Sequence, residues 1–274
     1  MTDILQYAFF QNAIWASLLI SIACGIVGTY IVSRRNVFIS GGITHATFGG
    51  LGIGFYFGIN PLISALVFAV LSAFGVEYLS HSGKRRAMRE DSVIAAIWSF
   101  GMAIGVIFIF LTPGYAPNLS AFLFGNILTV SKNDLLWMAI LSISIVLMYV
   151  LGKRAITYTA FDRDFAFTQQ LPVRFIEYMM MLFIAATIVL SIRLVGIMLL
   201  MSNLTIPQMT VNLFTSNYYK ITIISCILGF AGCVAGLFLS YFFNIPSGAF
   251  IILVLIILFL IAKIIQKIMP VRLF

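Results

Sequence analysis

Apolar residues run along this chain in long unbroken stretches, separated by short polar breaks that are rich in lysine and arginine. Residues 250–262 are apolar throughout, with no alternation between apolar and polar positions. A membrane β-strand needs that alternation, whereas continuous runs of this length predict helices that cross a bilayer. Helices also satisfy their own backbone amides, which hydrocarbon requires. The runs predict spans at about 12–33, 38–58, 61–80, 91–112, 134–152, 175–193, 194–214, 219–243 and 246–268.

The charges between these runs orient them. Arg34 and Arg35 follow the first span, Lys84, Arg85, Arg86 and Arg89 the third, and Lys153 and Arg154 the fifth. Lys220 opens the eighth span, and Lys263, Lys267 and Arg272 close the chain. With nine spans and the N-terminus outside, all of these fall on the cytoplasmic side, as the positive-inside rule expects. The C-terminus is then cytoplasmic. Lys132 and Arg193 do not fit, falling in outer turns. An eight-span variant with a re-entrant seventh segment stays open, because Asn203, Thr205, Pro207 and Gln208 interrupt that run.

Composition agrees with an all-α polytopic membrane protein built as one transmembrane domain over 1–274. Of 274 residues 62% are hydrophobic and 9% charged, where a soluble domain carries roughly a quarter charged. Sixteen basic residues against eight acidic ones could suggest nucleic acid, but their clustering between spans is a sidedness signal. No nucleic-acid partner is expected, and membrane lipid is. Cys24, Cys226 and Cys233 lie inside apolar runs at no disulfide or zinc spacing and read as small core residues. Residues 1–11 lack the basic region and cleavage site of a signal peptide.

The chemistry available inside the membrane is sparse. Glu77, Glu90, Asp91 and Glu177 all fall towards cytoplasmic span ends. No acid stands near mid-membrane, where an ion-coupled carrier usually keeps one. There is no Walker A pattern and no catalytic triad, so energy is expected from another subunit and no enzymatic activity from this one. His45, in span two, is the exception. Helical spacing sets Gly41, Gly42, Gly49 and Gly52 on its side, leaving room for a close helix or for an ion beside an imidazole. A hydrogen bond to a neighbouring helix would explain His45 equally well. His81 falls in a charged loop and reads as solvated. Glycines 50, 54 and 58, the pair Gly101 and Gly105, and the pair Gly232 and Gly236 have the spacing of close helix packing. Asn203, Thr205 and Gln208 must face protein or water, so they either line a path or bond to a neighbour. Two cytoplasmic segments, 81–90 and 153–174, are long enough to meet a partner; the second mixes Asp162, Arg163 and Asp164 with Phe161, Phe165 and Phe167.

Six blocks in order resemble the permeases of ABC-type zinc, manganese and iron importers. They are residues 34–50, the acid-led Glu90-Asp91-Ser92-Val93-Ile94-Ala95, residues 119–128 with Phe124-Gly125-Asn126-Ile127-Leu128, residues 160–173, residues 195–207, and Pro246-Ser247-Gly248-Ala249. The resemblance implies a multi-pass protein of the bacterial inner membrane that works as a homodimer. It implies two cytoplasmic ATPase subunits, an extracytoplasmic metal-binding protein, and a transported divalent metal ion with no tightly bound cofactor. It also implies that His45 lines the metal path and that Asp162, Phe165, Ala166, Leu171 and Pro172 contact the ATPase; Asn203 and Gln208 are further path candidates from their polarity at membrane depth alone. Two departures stand out. Gly41 occupies the place of the family's usual acid, one helical turn before His45, and Gln170 stands where a glycine is common. The rival readings are a secondary transporter that needs no ATPase and a membrane-embedded enzyme, for which His45 is the one available base.

Overall fold

The computed structural model describes residues 6–81, 89–113, 125, 127–243 and 245–268. Lys84, Arg85, Arg86 and Arg272, and most of the blocks at 81–90 and 119–128, lie outside them. The described elements are all helical: α1 (Ala8–Ser33), α2 (Phe38–Phe57), α3 (Pro61–His81), α4 (Glu90–Leu111), a 3-10 turn (Ile127–Thr129), α5 (Lys132–Phe161), α6 (Arg163–Thr168), α7 (Val173–Asn212), α8 (Tyr218–Phe243) and α9 (Ser247–Ile268). Seven of these are long and apolar enough to cross a membrane. The twenty-residue α2 also has the length, but its six glycines and His45 dilute its hydropathy.

The nine expected spans appear as eight long helices, because the sixth and seventh are merged in α7. This forty-residue element is not one rod. Gly196 has φ 76° and ψ 169°, a backbone conformation closed to most L-residues and open to glycine. Contacts on either side show the chain turning back there. Glu177, before the break, lies beside Arg34 past the end of α1. Arg193 pairs with Asp134 at the start of α5, at the opposite end of the bundle. After the break Asn203 packs near Ser21 and Gly229, Gln208 near Gly28, and the Leu213 carbonyl accepts from Gln266 near the end of α9. The second limb therefore runs back alongside α1 towards the Arg34 end instead of re-entering. The predicted turn at 193/194 sits at Gly196, where Gly125 (φ 56°) abuts it backbone to backbone.

This topology gathers Arg34, Arg35, Arg89, Lys153, Arg154, Lys220, Lys263 and Lys267 at one end of the bundle. The exceptional Arg193 stands at the other end, neutralised by Asp134 at 3.0 Å. The fifth span overruns its predicted end at 152. No proline or glycine interrupts 153–161, and α5 continues to Phe161, about 45 Å of helix against a hydrocarbon core of about 30 Å. Much of the expected 153–174 loop is thus helix that stays packed on the bundle through Ile156, Thr159 and Ala160, followed by the short α6.

Lipid gives helices little hydrophobic reason to associate, so small residues that let backbones meet must do it. The glycine pairs do this. Gly50 and Gly54 receive Ser64, Ala65 and Pro61 of α3, Gly101 and Gly105 receive α2, and Gly232 and Gly236 receive Leu255 and Ile251 of α9. Helices α1 and α7 form the buried centre, and α9 lies outermost. The three cysteines are free, with Cys24 and Cys233 buried.

Candidate functional site

His45 lies near the middle of α2 and is only partly buried, at the surface of the protomer. Its ring stacks on Trp98 of α4, with centroids 4.3 Å apart and planes 4° from parallel. Nδ1 is shielded from solvent and has no hydrogen-bond partner. The hydrogen bond to a neighbouring helix, which sequence left open, is thus not made through Nδ1. The glycines explain how α4 gets close enough for the stack. A Cβ at Gly42 would collide with Ile94, and one at Gly49 would sit 3.0 Å from the Gly101 carbonyl. Trp98 itself gave no signal in the sequence, because only the register between α2 and α4 sets it against His45.

The space beside Gly41 is filled. A Cβ at Gly41 would lie 3.3 Å from Cε of Met201 on the second limb of α7, and Thr44 Oγ1 points at the Met201 sulfur from 3.9 Å. The side of α2 that carries His45 therefore meets a thioether and an indole. Among the described residues no group of three or more His, Cys, Asp or Glu side chains could hold a metal. An imidazole without carboxylates makes a weak and exchangeable ligand, which suits passage more than storage.

Asn203 and Gln208 are buried on the same limb, but their amides turn to other helices. Gln208 Nε2 donates to the Cys24 carbonyl of α1 at 2.9 Å, and Asn203 Nδ2 lies 4.0 Å from Cys233 Sγ of α8. The structure brings Gly41, Gly42, Gly49 and His45 together with Trp98 and Met201, and sets Asn203 and Gln208 into the α1–α8 packing. Thr205 caps its own helix turn through the Met201 carbonyl.

The 162–172 segment is organised by Asp162. Its side chain accepts from the Phe165 N–H at 2.9 Å and starts α6, as a capping carboxylate does. Ala166 is fully buried, whereas Phe165 and Phe167 are exposed. The Leu171 N–H returns to the Ala166 carbonyl, and Pro172 leads into α7. Gln170 has φ 56°, a conformation that glycine adopts freely and in which a side chain costs about 1–2 kcal/mol. We expect Gln170→Gly to be neutral or stabilising by up to about 1 kcal/mol, read as an unchanged or raised Tm of the purified protein, with a clear fall in Tm as the contrary result.

A feature not read from the sequence joins this segment to the bundle. Arg163 of α6 grips Glu177 of α7 with both ends of its guanidinium, Nε to Oε1 at 2.8 Å and Nη2 to Oε2 at 3.1 Å. Glu177 is also 3.9 Å from Arg34, which stands 3.5 Å from Glu77 of α3 and 4.0 Å from Glu90 of α4. Arg34 further donates to Tyr30 Oη at 3.1 Å. Burial opposes its charge, but Tyr30, Glu77 and Glu90 outweigh that and its pKa is raised. The available clue was the set of acids at one end of a chain with so few charges, since buried carboxylates need cations.

Comparison with known proteins places these features in a wider group. The profile of the ABC 3 transport family matches residues 6–266. An uncharacterized membrane protein of Synechocystis is 40% identical over 262 residues, 96% of this chain and 92% of its own length. The manganese transport system membrane protein MntC of Halalkalibacterium halodurans is 30% identical over 261 residues, 95% of this chain and 88% of its own. Among solved structures, PsaBC from Streptococcus pneumoniae in complex with Fab superposes with a TM-score of 0.83 at 28% identity, covering 97% of this chain and 98% of that one.

Proposed function

The chain belongs to the ABC 3 transport family, and from that premise we propose that it is the membrane permease of an ATP-driven importer of a divalent transition metal, with manganese as the cargo. The polytopic helical fold and the family make it a transport component whose ATPase is a separate subunit. Manganese enters through relatives such as MntC that are named for its transport.

The observation that carries the reading is His45: a partly exposed imidazole, one nitrogen unpartnered, at mid-helix on the surface of an otherwise apolar protomer. Hydrocarbon would penalise it there, so protein or water must cover it. A second copy packed on the α2–α4 face would cover both histidines and enclose a path between them. In that arrangement His45 hands the ion on, Trp98 fixes the imidazole, and the segment around Asp162, Phe165, Ala166, Leu171 and Pro172 meets the ATPase. The basic end is then cytoplasmic and the N-terminus outside. Asn203 and Gln208 support the path by locking the second limb of α7 to α1 and α8.

The test is radiometal uptake into proteoliposomes holding this chain, its ATPase and its binding protein, with manganese, zinc and iron in competition. ATP-dependent accumulation displaced best by manganese is the expected result. Displacement best by zinc would reassign the cargo, in keeping with a site that offers imidazole and thioether in place of carboxylate. Accumulation on an ion gradient without ATP would overturn the reading in favour of a secondary transporter.

A further inference from the structure

Resting on that reading, we propose that Glu177 is the positioning residue through which the ATPase-docking segment sets the helices that carry the path. Three observations lead there. The carboxylate is shared between two cations, Arg163 on the docking segment at 2.8 and 3.1 Å and Arg34 in the bundle at 3.9 Å. Its side chain is 1% exposed, so its charge has no water to turn to, and that of Arg34 is 12% exposed. Arg34 stands between 3.5 and 4.0 Å from each of its three acids, and hydrogen-bonds none of them while it donates to Tyr30.

Arg34 is therefore balanced among α3, α4 and α7, with its place decided by what Glu177 has left to offer. While Arg163 holds Glu177, much of that carboxylate's charge is answered from the docking segment. Withdraw Arg163 by moving α6, and a buried carboxylate is left with Arg34 as its near cation. The two draw together, at the expense of Glu77 on α3 and Glu90 on α4. A buried charge that loses one partner carries a penalty large enough to drive such a shift. The shift reaches the path by a short route. Arg34 leads through Asn36 into α2, which bears His45, and Glu90 opens α4, which bears the Trp98 on which His45 stacks.

The test compares metal ions accumulated per ATP hydrolysed by the wild-type complex and by complexes carrying Glu177→Gln or Arg163→Gln. Glutamine keeps the shape and removes the charge, and in Arg163→Gln the buried Glu177 keeps Arg34 at 3.9 Å as a second cation, so the ratio is read on the complex that assembles. Both variants should lower the ratio at least tenfold, and the double variant should fall no further than either single one. A purely structural role would lower the yield of assembled complex and leave the ratio alone. If Glu177→Gln does not assemble, Arg163→Gln decides. A wild-type ratio in assembled Arg163→Gln complex overturns the inference. Should the wild-type complex itself accumulate no metal, the importer reading fails first.

Discussion

Replacing His45 by alanine should reduce ATP-driven metal uptake to the level of liposomes without the complex, while the complex still assembles and hydrolyses ATP. The two parts follow from different features of the site. Uptake fails because no carboxylate shares the His45 face of α2. Gly41 stands where one could be, and the space is taken by Met201, so nothing adjacent can substitute for the imidazole. Assembly survives because the ring contributes little to packing. It stacks closely on Trp98 and, at 6.5 Å between centroids, more loosely on Phe48 of its own helix, and an aromatic pair of this kind is worth about 0.5–1.5 kcal/mol beyond its area. Metal accumulation at the wild-type rate in assembled His45→Ala complex would remove the residue from the path.

Gly101→Leu should yield no folded, monodisperse protein at all. A Cβ at Gly101 would fall 2.5 Å from the Ala46 Cα and 2.7 Å from its carbonyl oxygen. These are backbone atoms of a facing helix and have no rotamer to change. Overpacking against side chains costs about 1–3 kcal/mol. Here the helices themselves must separate, undoing the adjoining contacts of Gly105 with Phe48 and of Gly49 with Gly101. Size-exclusion chromatography in detergent is the check, with Gly75→Leu as control, because Gly75 has only the tip of Ile97 nearby. A sharp wild-type peak for Gly101→Leu would mean that the α2–α4 seam is looser than described.

Most of the spans were legible because they are runs of apolar residues, a local property that needs no neighbour to be recognised; α2, diluted by its glycines, and the limb after Gly196 are weaker cases. The glycine contacts were legible for a similar reason, since residues four apart share a helix face whatever helix they meet. Gly125 and Gly196 were not, because two positive-φ glycines meeting backbone to backbone leave no periodic mark. His45 could be picked out as a polar residue in an apolar run, but Trp98 and Met201 could not. Their relation to it depends on the registers of α4 and α7 against α2, which are fixed by packing across the bundle. Asn203 and Gln208 suit either a path lining or a bond to a neighbour; their amide nitrogens face the Cys233 sulfur and the Cys24 carbonyl, while Asn203 Oδ1 and Gln208 Oε1 are buried without a hydrogen-bond partner. The acids were correctly read as lying towards span ends, yet their convergence on Arg34 joins residues 34, 77, 90 and 177 through tertiary structure alone.

The reversal at Gly196 bears on how this protein enters its membrane. The returning limb, 197–212, offers sixteen residues, about 24 Å of helix for a core of about 30 Å, and carries Asn203, Thr205, Pro207 and Gln208. An insertion machinery that weighs each segment by its apolar content would find little reason to release it into lipid by itself. It must go in as the second half of a hairpin, carried by the strongly apolar stretch before it. Its amides stay uncommitted until α1 and α8 close around them. Synthesis as far as residue 217 therefore gives a hairpin that α8 has yet to settle, and the middle of this chain becomes native only as its last quarter is made.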